Sequence, residues 1–329
     1  MTKLLSTLLL SLLLASPAGA QVIKIATLAP DGSAWMRELR AASAEVKKGT
    51  GGRVDVKFYP GGVMGNDAVV LRKIRLGQLQ GGVLTSSELS LIYPDAPVYS
   101  LPFLLSTWEE VDRVRAQVDP MLAKGFESRG FRMLGVAGLG FGYLMGDKPL
   151  RSAADMKGIK LWVPQNDSIA IRTFEMGGLS TIPLSIGDVF TSLQTGLVDT
   201  VVNTPSGAVV LQWQGKLKYM VDLPLTFVVG FLVVDDKAWK RLAPADQAVL
   251  AKAFDAAGRR MDAGIRRDDA SALAAMKKQG MQVTRLDPAE EKRWRALGPR
   301  VAADMQAKQE ISPELLAAVR RALATAKAN

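Results

Sequence analysis

The chain has 329 residues, 48% of them hydrophobic, and a formal net charge of +10. It contains no Cys and no His, which excludes disulfides, cysteine nucleophiles, Ser-His-Asp chemistry and every His-containing zinc site. The length suggests about two domains, and the basic residues are dispersed without interleaved aromatics, so no nucleic-acid partner is expected.

Residues 1–20 combine a basic start at Lys3, an apolar run from Leu4 to Ala15, and Ala18-Gly19-Ala20 before Gln21. This is the pattern of a cleaved secretory signal. Without a Cys at the cleavage site there is no lipid anchor. After Gln21 no apolar run approaches the ~18 residues of a membrane span. The mature chain is therefore expected to be soluble and exported, with the periplasm as its location.

The mature chain opens as βαβαβ. Val22–Thr27 alternates like a strand, Ser33 caps a helix to Lys48, and Arg53–Tyr59 alternates again. Asn66 caps a second helix to Leu76, and Leu79–Thr85 is a third strand. Thr107 caps a helix whose Val111, Val114, Val118 and Met121 recur at helical spacing, with Pro120 predicting a kink or a split. Phe131–Met145 and Leu225–Val234 are long apolar runs, each expected to cross between lobes.

Between those two runs, Ala153–Pro205 alternates short strands (Ile159–Val163, Leu179–Leu184, Thr200–Val202) with helices (Asn166–Met176, Gly187–Leu197), the pattern of a second parallel sheet. Ser206–Met220 reads as a helix carrying Trp213 and Lys216. Pro244–Gln279 reads as one long helix, followed by a strand at Met281–Leu286 and helices at Pro288–Gln309 and Pro313–Ala326. The expected fold class is α/β, a two-lobed clamp of the periplasmic-binding-protein type with two crossing strands. Lobe I is expected at 21–139 plus about 228–265. Lobe II is expected at 140–227 plus about 266–329, with the C-terminal helices.

Several segments resemble the DctP-type solute receptors of TRAP (tripartite ATP-independent periplasmic) transporters. They are Lys24-Ile25-Ala26-Thr27 with Pro30 and Trp35, Thr50-Gly51-Gly52-Arg53-Val54, and Tyr59-Pro60-Gly61-Gly62. Leu101-Pro102-Phe103-Leu104, Asp155-Met156-Lys157-Gly158-Ile159-Lys160 and Leu193-Gln194-Thr195-Gly196-Leu197-Val198-Asp199 continue the match in order. Each is weak alone, and together they cover nearly all of the mature chain. The resemblance implies a long helix spanning both lobes, which Ala245–Gln279 fits. It also implies capture of a small organic acid, delivery to sodium-driven membrane subunits, and no chemistry by the receptor itself. Monomer and homodimer both remain open.

One departure bears on the ligand. The family pattern after the Lys-Gly turn carries an Arg that pairs with the ligand's carboxylate, and Arg suits that role because its planar fork matches two oxygens. In Lys160-Leu161-Trp162-Val163-Pro164, Trp162 stands at that position. Three ligands fit: an acid held by other donors, a larger flat solute stacked on Trp162 and Trp213, or a cationic or zwitterionic solute over the aromatic faces. The acid is the leading expectation.

In open α/β sheets ligands sit at the carboxyl ends of strands, which makes Trp162, Asn203, Thr85 and Ser86 candidate ligand-binding residues. Trp213, Trp35 and Tyr143 are added because each could reach the cleft. Each has a plain alternative: packing for the Trp and Tyr residues, an Asx turn before Pro205 for Asn203, a turn for Thr85, Ser86 and Ser87. Arg72 and Arg75 read as a solvated face. Glu88 and Asp95, seven apart in a proline-rich stretch, give weak support for a cation, so no metal and no cofactor is expected. An exported carboxylate-based hydrolase is the rival class, and it requires paired acids at the cleft.

Overall fold

The structure, a computed structural model, describes residues 20–324. The predicted signal segment, apart from Ala20, lies outside the described residues. The chain begins with β1 (Gln21–Thr27), α1 (Ala34–Gly49), β2 (Val54–Tyr59), α2 (Asp67–Arg75), β3 (Gly81–Thr85) and α3 (Ser86–Leu89). It continues through α4 (Trp108–Ser128), β4 (Phe131–Gly146), β5 (Leu161–Pro164), α5 (Ser168–Met176), β6 (Thr181–Leu184), α6 (Val189–Thr195), β7 (Thr200–Asn203) and α7 (Pro205–Val210). It closes with β8 (Tyr219–Val221), β9 (Thr226–Asp235), α8 (Asp236–Lys240), α9 (Pro244–Lys278), β10 (Gln282–Thr284), α10 (Pro288–Arg295), α11 (Leu297–Ala307) and α12 (Pro313–Ala324).

Local chemistry sets the helix starts. Ser33 accepts from Met36 N ahead of α1, Asn66 accepts from Val69 N ahead of α2, and Thr107 forms a reciprocal capping box with Glu110 ahead of α4. Such caps satisfy N–H groups that have no partner within the helix. Pro120 neither kinks α4 into two elements nor ends it. Val111, Val114 and Val118 before it and Leu122 and Phe126 after it are all buried, so packing on both sides outweighs the one hydrogen bond the proline cannot donate.

The strand order is β2-β1-β3-β9-β4-β7-β5-β6, with β8 joined to the end of β4 and β10 to β8. β1, β2 and β3 pair in parallel, as do β7, β5 and β6, while β9 and β4 run antiparallel between the two sets. β4 belongs to both sheets. Its residues Phe131–Gly142 pair with β9, and Tyr143–Gly146 pair with β7. Two register shifts interrupt it, between Met133 and Gly135 and between Gly138 and Gly140.

α9 lies along β4 across these shifts. At Gly258 a Cβ would stand 3.3 Å from Val136 O, so helix and strand approach with no side chain between them. Asp262 accepts from Gly138 N at 2.6 Å and pairs with Arg115 of α4 at 2.7 Å. Two turns on, Asp269 accepts from Ser206 N at 3.0 Å. One helix thus grips the strand between its two register shifts, and binds α4 on one side and α7 on the other.

Two expectations are corrected. The Ser206–Met220 helix ends at Val210. Gln212 adopts φ 61 and turns the chain so that Trp213, 1% exposed, is buried. Burying so large an apolar ring is worth roughly 2–3 kcal/mol and outweighs the ~1–2 kcal/mol of a left-handed non-glycine residue. The expected Pro288–Gln309 helix is two helices, α10 and α11, that meet at Ala296. The terminal helix α12 lies in the core cluster of α4, with Leu315, Leu316 and Val319 buried there, and Asp95 accepting from Ser312 N just before it. The last helix therefore packs on the first half of the molecule.

Candidate functional site

The carboxyl ends of β1, β3, β5 and β7 converge between the two sheets. They wall a cleft made of three adjoining cavities. The first spans about 1090 Å³, open solvent at its mouth included, and takes its walls from β1, β3, β4, β9, α9 and the β7–α7 junction. The second encloses about 790 Å³ and reaches between β5, α5 and the Thr226–Val229 stretch of β9. A smaller one of about 370 Å³ lies at the mouth. Thr85 and Ile186 line all three, and Asn203 lines the first two. At the mouth Asn166 Nδ2 donates to Glu88 Oε2 at 2.8 Å, a hydrogen bond that joins the two halves directly.

Asn203 ends β7. Its Oδ1 accepts from Thr204 N at 2.8 Å, and its Nδ2 is buried with no hydrogen-bond partner among the described residues. A buried donor left unpaired is costly, and the residue that carries it lines the first two cavities. Trp162 lies within β5, two residues before its end at Pro164, is 3% exposed and lines the second cavity. Its indole N–H donates to Leu184 O at 3.1 Å, so what it presents to the cavity is apolar ring surface. Trp213 meets Trp162 edge to face, with ring centroids 5.3 Å apart, and lines none of the three cavities. It supports the Trp162 ring from behind.

Trp35, half-buried on α1, lines the first cavity. Tyr143 stands opposite Asn203 in the β4–β7 ladder and packs between core clusters, outside the cavity walls. Burial raises its hydroxyl pKa, and the nearby Asp269 and Asp222 carboxyls add to that. Thr85 lines all three cavities, but its N and Oγ1 both donate to Asp67 Oδ2 at 2.9 Å. Ser86 lines the second cavity with its Oγ 3.4 Å from Ser100 Oγ. Arg72 and Arg75 are exposed and outside the cleft. Glu88 is held by Asn166 and Asp95 by the start of α12, so both carboxylates have structural contacts.

Sequence reasoning missed Thr27, Asp67 and Asp167. Thr27 ends β1, is 4% exposed and lines the first cavity. Asp67 follows the Asn66 cap of α2 and is 8% exposed. Burial raises its pKa to about 6, Thr85 lowers it through two hydrogen bonds, and the Glu88 charge raises it. Asp167 caps α5 and lines the second cavity, and burial likewise raises its pKa to about 6 against the Ala170 and Ile169 N–H groups. A partial signal was available: each acid sits at a helix start, Asp167 three residues beyond the end of β5 and Asp67 beside the Asn66 cap of α2. Among the described residues no Lys or Arg lines any of the three cavities.

Two α/β halves on a shared strand, with a cleft between them and a long helix bracing both, define a two-lobed solute-binding protein. The chain belongs to the DctP family of bacterial extracellular solute-binding proteins, family 7, whose pattern matches residues 25–309. It is 28% identical to the C4-dicarboxylate-binding periplasmic protein DctP of Rhodobacter capsulatus, over 96% of this chain and 95% of that one. It is 27% identical to the uncharacterised protein YiiZ of Salmonella typhimurium, over 64% of this chain and 65% of that one. Among solved structures, a TRAP periplasmic solute-binding protein of Desulfovibrio salexigens with bound orotic acid superposes with a TM-score of 0.85. It is 25% identical, with 93% of this chain and 99% of that chain covered. Among the described residues no helix is long and apolar enough to cross a membrane.

Proposed function

We propose that this chain is the extracytoplasmic receptor of a TRAP transporter, capturing a small organic acid and delivering it to membrane subunits. The observation that carries the reading is the unpartnered Asn203 Nδ2 at the wall of the inter-lobe cleft. Relatives in the family bind acids: the Rhodobacter protein is named for dicarboxylates, and the Desulfovibrio structure holds orotic acid. The segment at 1–20 serves as the export signal, placing the mature chain in the periplasm.

In this reading the lobes divide near residue 140 on β4, beside its second register shift, and near 228 on β9. The open clamp admits the acid. Asn203 Nδ2 donates to an acid oxygen, which a neutral amide can do without a cation. Trp162 supplies an apolar wall, braced by Trp213, and Trp35 closes the first cavity. Thr85 and Ser86 contribute from the first lobe, Thr85 by fixing Asp67. The Glu88–Asn166 hydrogen bond latches the mouth, and the closed surface is what the membrane subunits recognise. The receptor performs no chemistry.

The test is thermal melting of the 21–329 chain against a library of organic acids, amines and neutral solutes. A ligand at a hundred times its Kd adds about 2.7 kcal/mol of stability, a readily measured shift. Acid hits whose affinity falls in Asn203→Ala support the reading. Hits confined to amines or neutral solutes, or an affinity untouched in both Asn203→Ala and Trp162→Ala, refute it.

A further inference from the structure

Asp67 has a feature that the acid-receptor reading does not use. Both hydrogen bonds it receives, from Thr85 N and Thr85 Oγ1, go to Oδ2. The Thr85 hydroxyl in turn accepts from Ser87 Oγ at 3.2 Å, so its own proton is committed to Asp67 and none remains for a ligand. Among the described residues Oδ1 of Asp67 has no hydrogen-bond partner, although the residue lines both the first cavity and the mouth. The cleft thus carries a carboxylate oxygen held in a fixed direction by its sister atom, with no cation beside it.

Closing an apolar solute over that oxygen would strip its hydration and return nothing. Closing a second carboxylate over it would add like-charge repulsion. A donor on the ligand removes both costs. The rest of the first cavity limits how many donors are welcome. Its walls include Leu28, Val83, Leu139, Val228, Phe254 and Met261, where further buried hydroxyls find no partner.

Building on the acid-receptor reading, the geometry points to a ligand that is a compact acid bearing one N–H or O–H donor, which meets Asp67 Oδ1 while Asn203 Nδ2 meets an oxygen of the ligand. Asp67 is then a specificity-determining residue, with Thr85 as its positioning residue. Polyhydroxylated acids are rejected.

The experiment is calorimetric titration of the ligand-free chain with matched pairs of acids that differ in the donor alone. The pairs are pyroglutamate and its ring-oxygen lactone counterpart, leucic acid and isocaproate, and mandelate and phenylacetate, with gluconate and galacturonate as polyhydroxylated probes. The donor-bearing member of a binding pair is expected to bind about 10- to 100-fold more tightly than its partner, as for a hydrogen bond to a charged acceptor. Asp67→Asn keeps an oxygen for the Thr85 donors and turns the free atom into a donor. It is expected to reduce that preference to about threefold or less, with the ligand-free protein melting no lower than the parent. Equal affinity within the pairs, tightest binding by gluconate or galacturonate, or a preference that survives in Asp67→Asn overturns the assignment while leaving the acid reading intact. A panel in which no acid binds counts against the acid reading itself. The pairs report on the parent protein, so the inference stays testable even if the variant fails to fold.

Discussion

Gly140→Ala tests the grip of α9 on the crossing strand. Gly140 has φ +106, and a methyl group there would stand 1.9 Å from Asp269 Oδ2. Two costs add. The backbone conformation is strained for any residue with a Cβ, about 1–2 kcal/mol. The Asp269 carboxylate must also move, breaking its 3.0 Å contact with Ser206 N, a bond to a charged acceptor worth about 1.5–3 kcal/mol. The substitution should therefore destabilise the ligand-free protein by roughly 3–5 kcal/mol. Asp269→Ala alone already gives up the Ser206 contact and removes the atom the methyl group would strike. In the double variant only backbone strain is left for Gly140→Ala to add, so the two effects should fall short of additivity by about 1.5–3 kcal/mol. Urea denaturation of the parent, both single variants and the double variant reads this directly. Additivity within about 0.5 kcal/mol would show that the carboxylate and the strand do not share this contact.

Three further outcomes are expected. Trp162→Phe removes the 3.1 Å bond to Leu184 O but keeps an aromatic wall, and should cost about 1 kcal/mol, against about 3–5 kcal/mol for Trp162→Ala. Equal losses in urea denaturation would mean that the ring braced by Trp213 contributes little. Asp67, Asp167 and Asp269 all have pKa values raised to about 6 by burial. A carboxyl whose folded pKa lies above its unfolded value of about 3.9 binds its proton more tightly when folded, so its contribution grows as pH falls and is lost as pH rises through about 6. Asp67→Asn should remove roughly 1.3 kcal/mol from the stability gained between about pH 7 and about pH 5 in the ligand-free protein, and an unchanged pH slope would refute this. Finally, Asn166→Ala opens the latch to Glu88. It should speed ligand release about tenfold in stopped-flow measurements with little effect on capture, and an unaltered release rate would remove the latch from the mechanism.

Much of the fold was legible because its signals are local. The Ser33, Asn66 and Thr107 caps stand where short polar side chains precede apolar periodicity. The two long apolar runs became β4 and β9, since a strand buried on both faces has no polar alternation to show. The site was half legible. The strand-end argument reached Trp162, Asn203 and Thr85, all of which line the cleft. Trp213 and Tyr143, added because each could reach the cleft, lie outside the cavity walls, and Asp67, Asp167 and Thr27 were passed over. A strand end fixes where a Cα sits, while the side chain's direction depends on what packs behind it. Trp213 is turned away by Gln212 in a left-handed conformation, at a position with no glycine to announce a turn.

The sequence by itself determined the alternation of strands and helices, the family, and the replacement of an expected Arg by Trp162. Those are properties of residue type, order and spacing. The tertiary structure decided that α12 packs on α4, that the Thr85 hydroxyl is spent on Asp67, and that among the described residues Asn203 Nδ2 and Asp67 Oδ1 find no hydrogen-bond partner. Residues 67, 85 and 203 are far apart in the chain, and whether a polar atom there is satisfied depends on which distant groups come within about 3 Å of it. No local pattern encodes that distance.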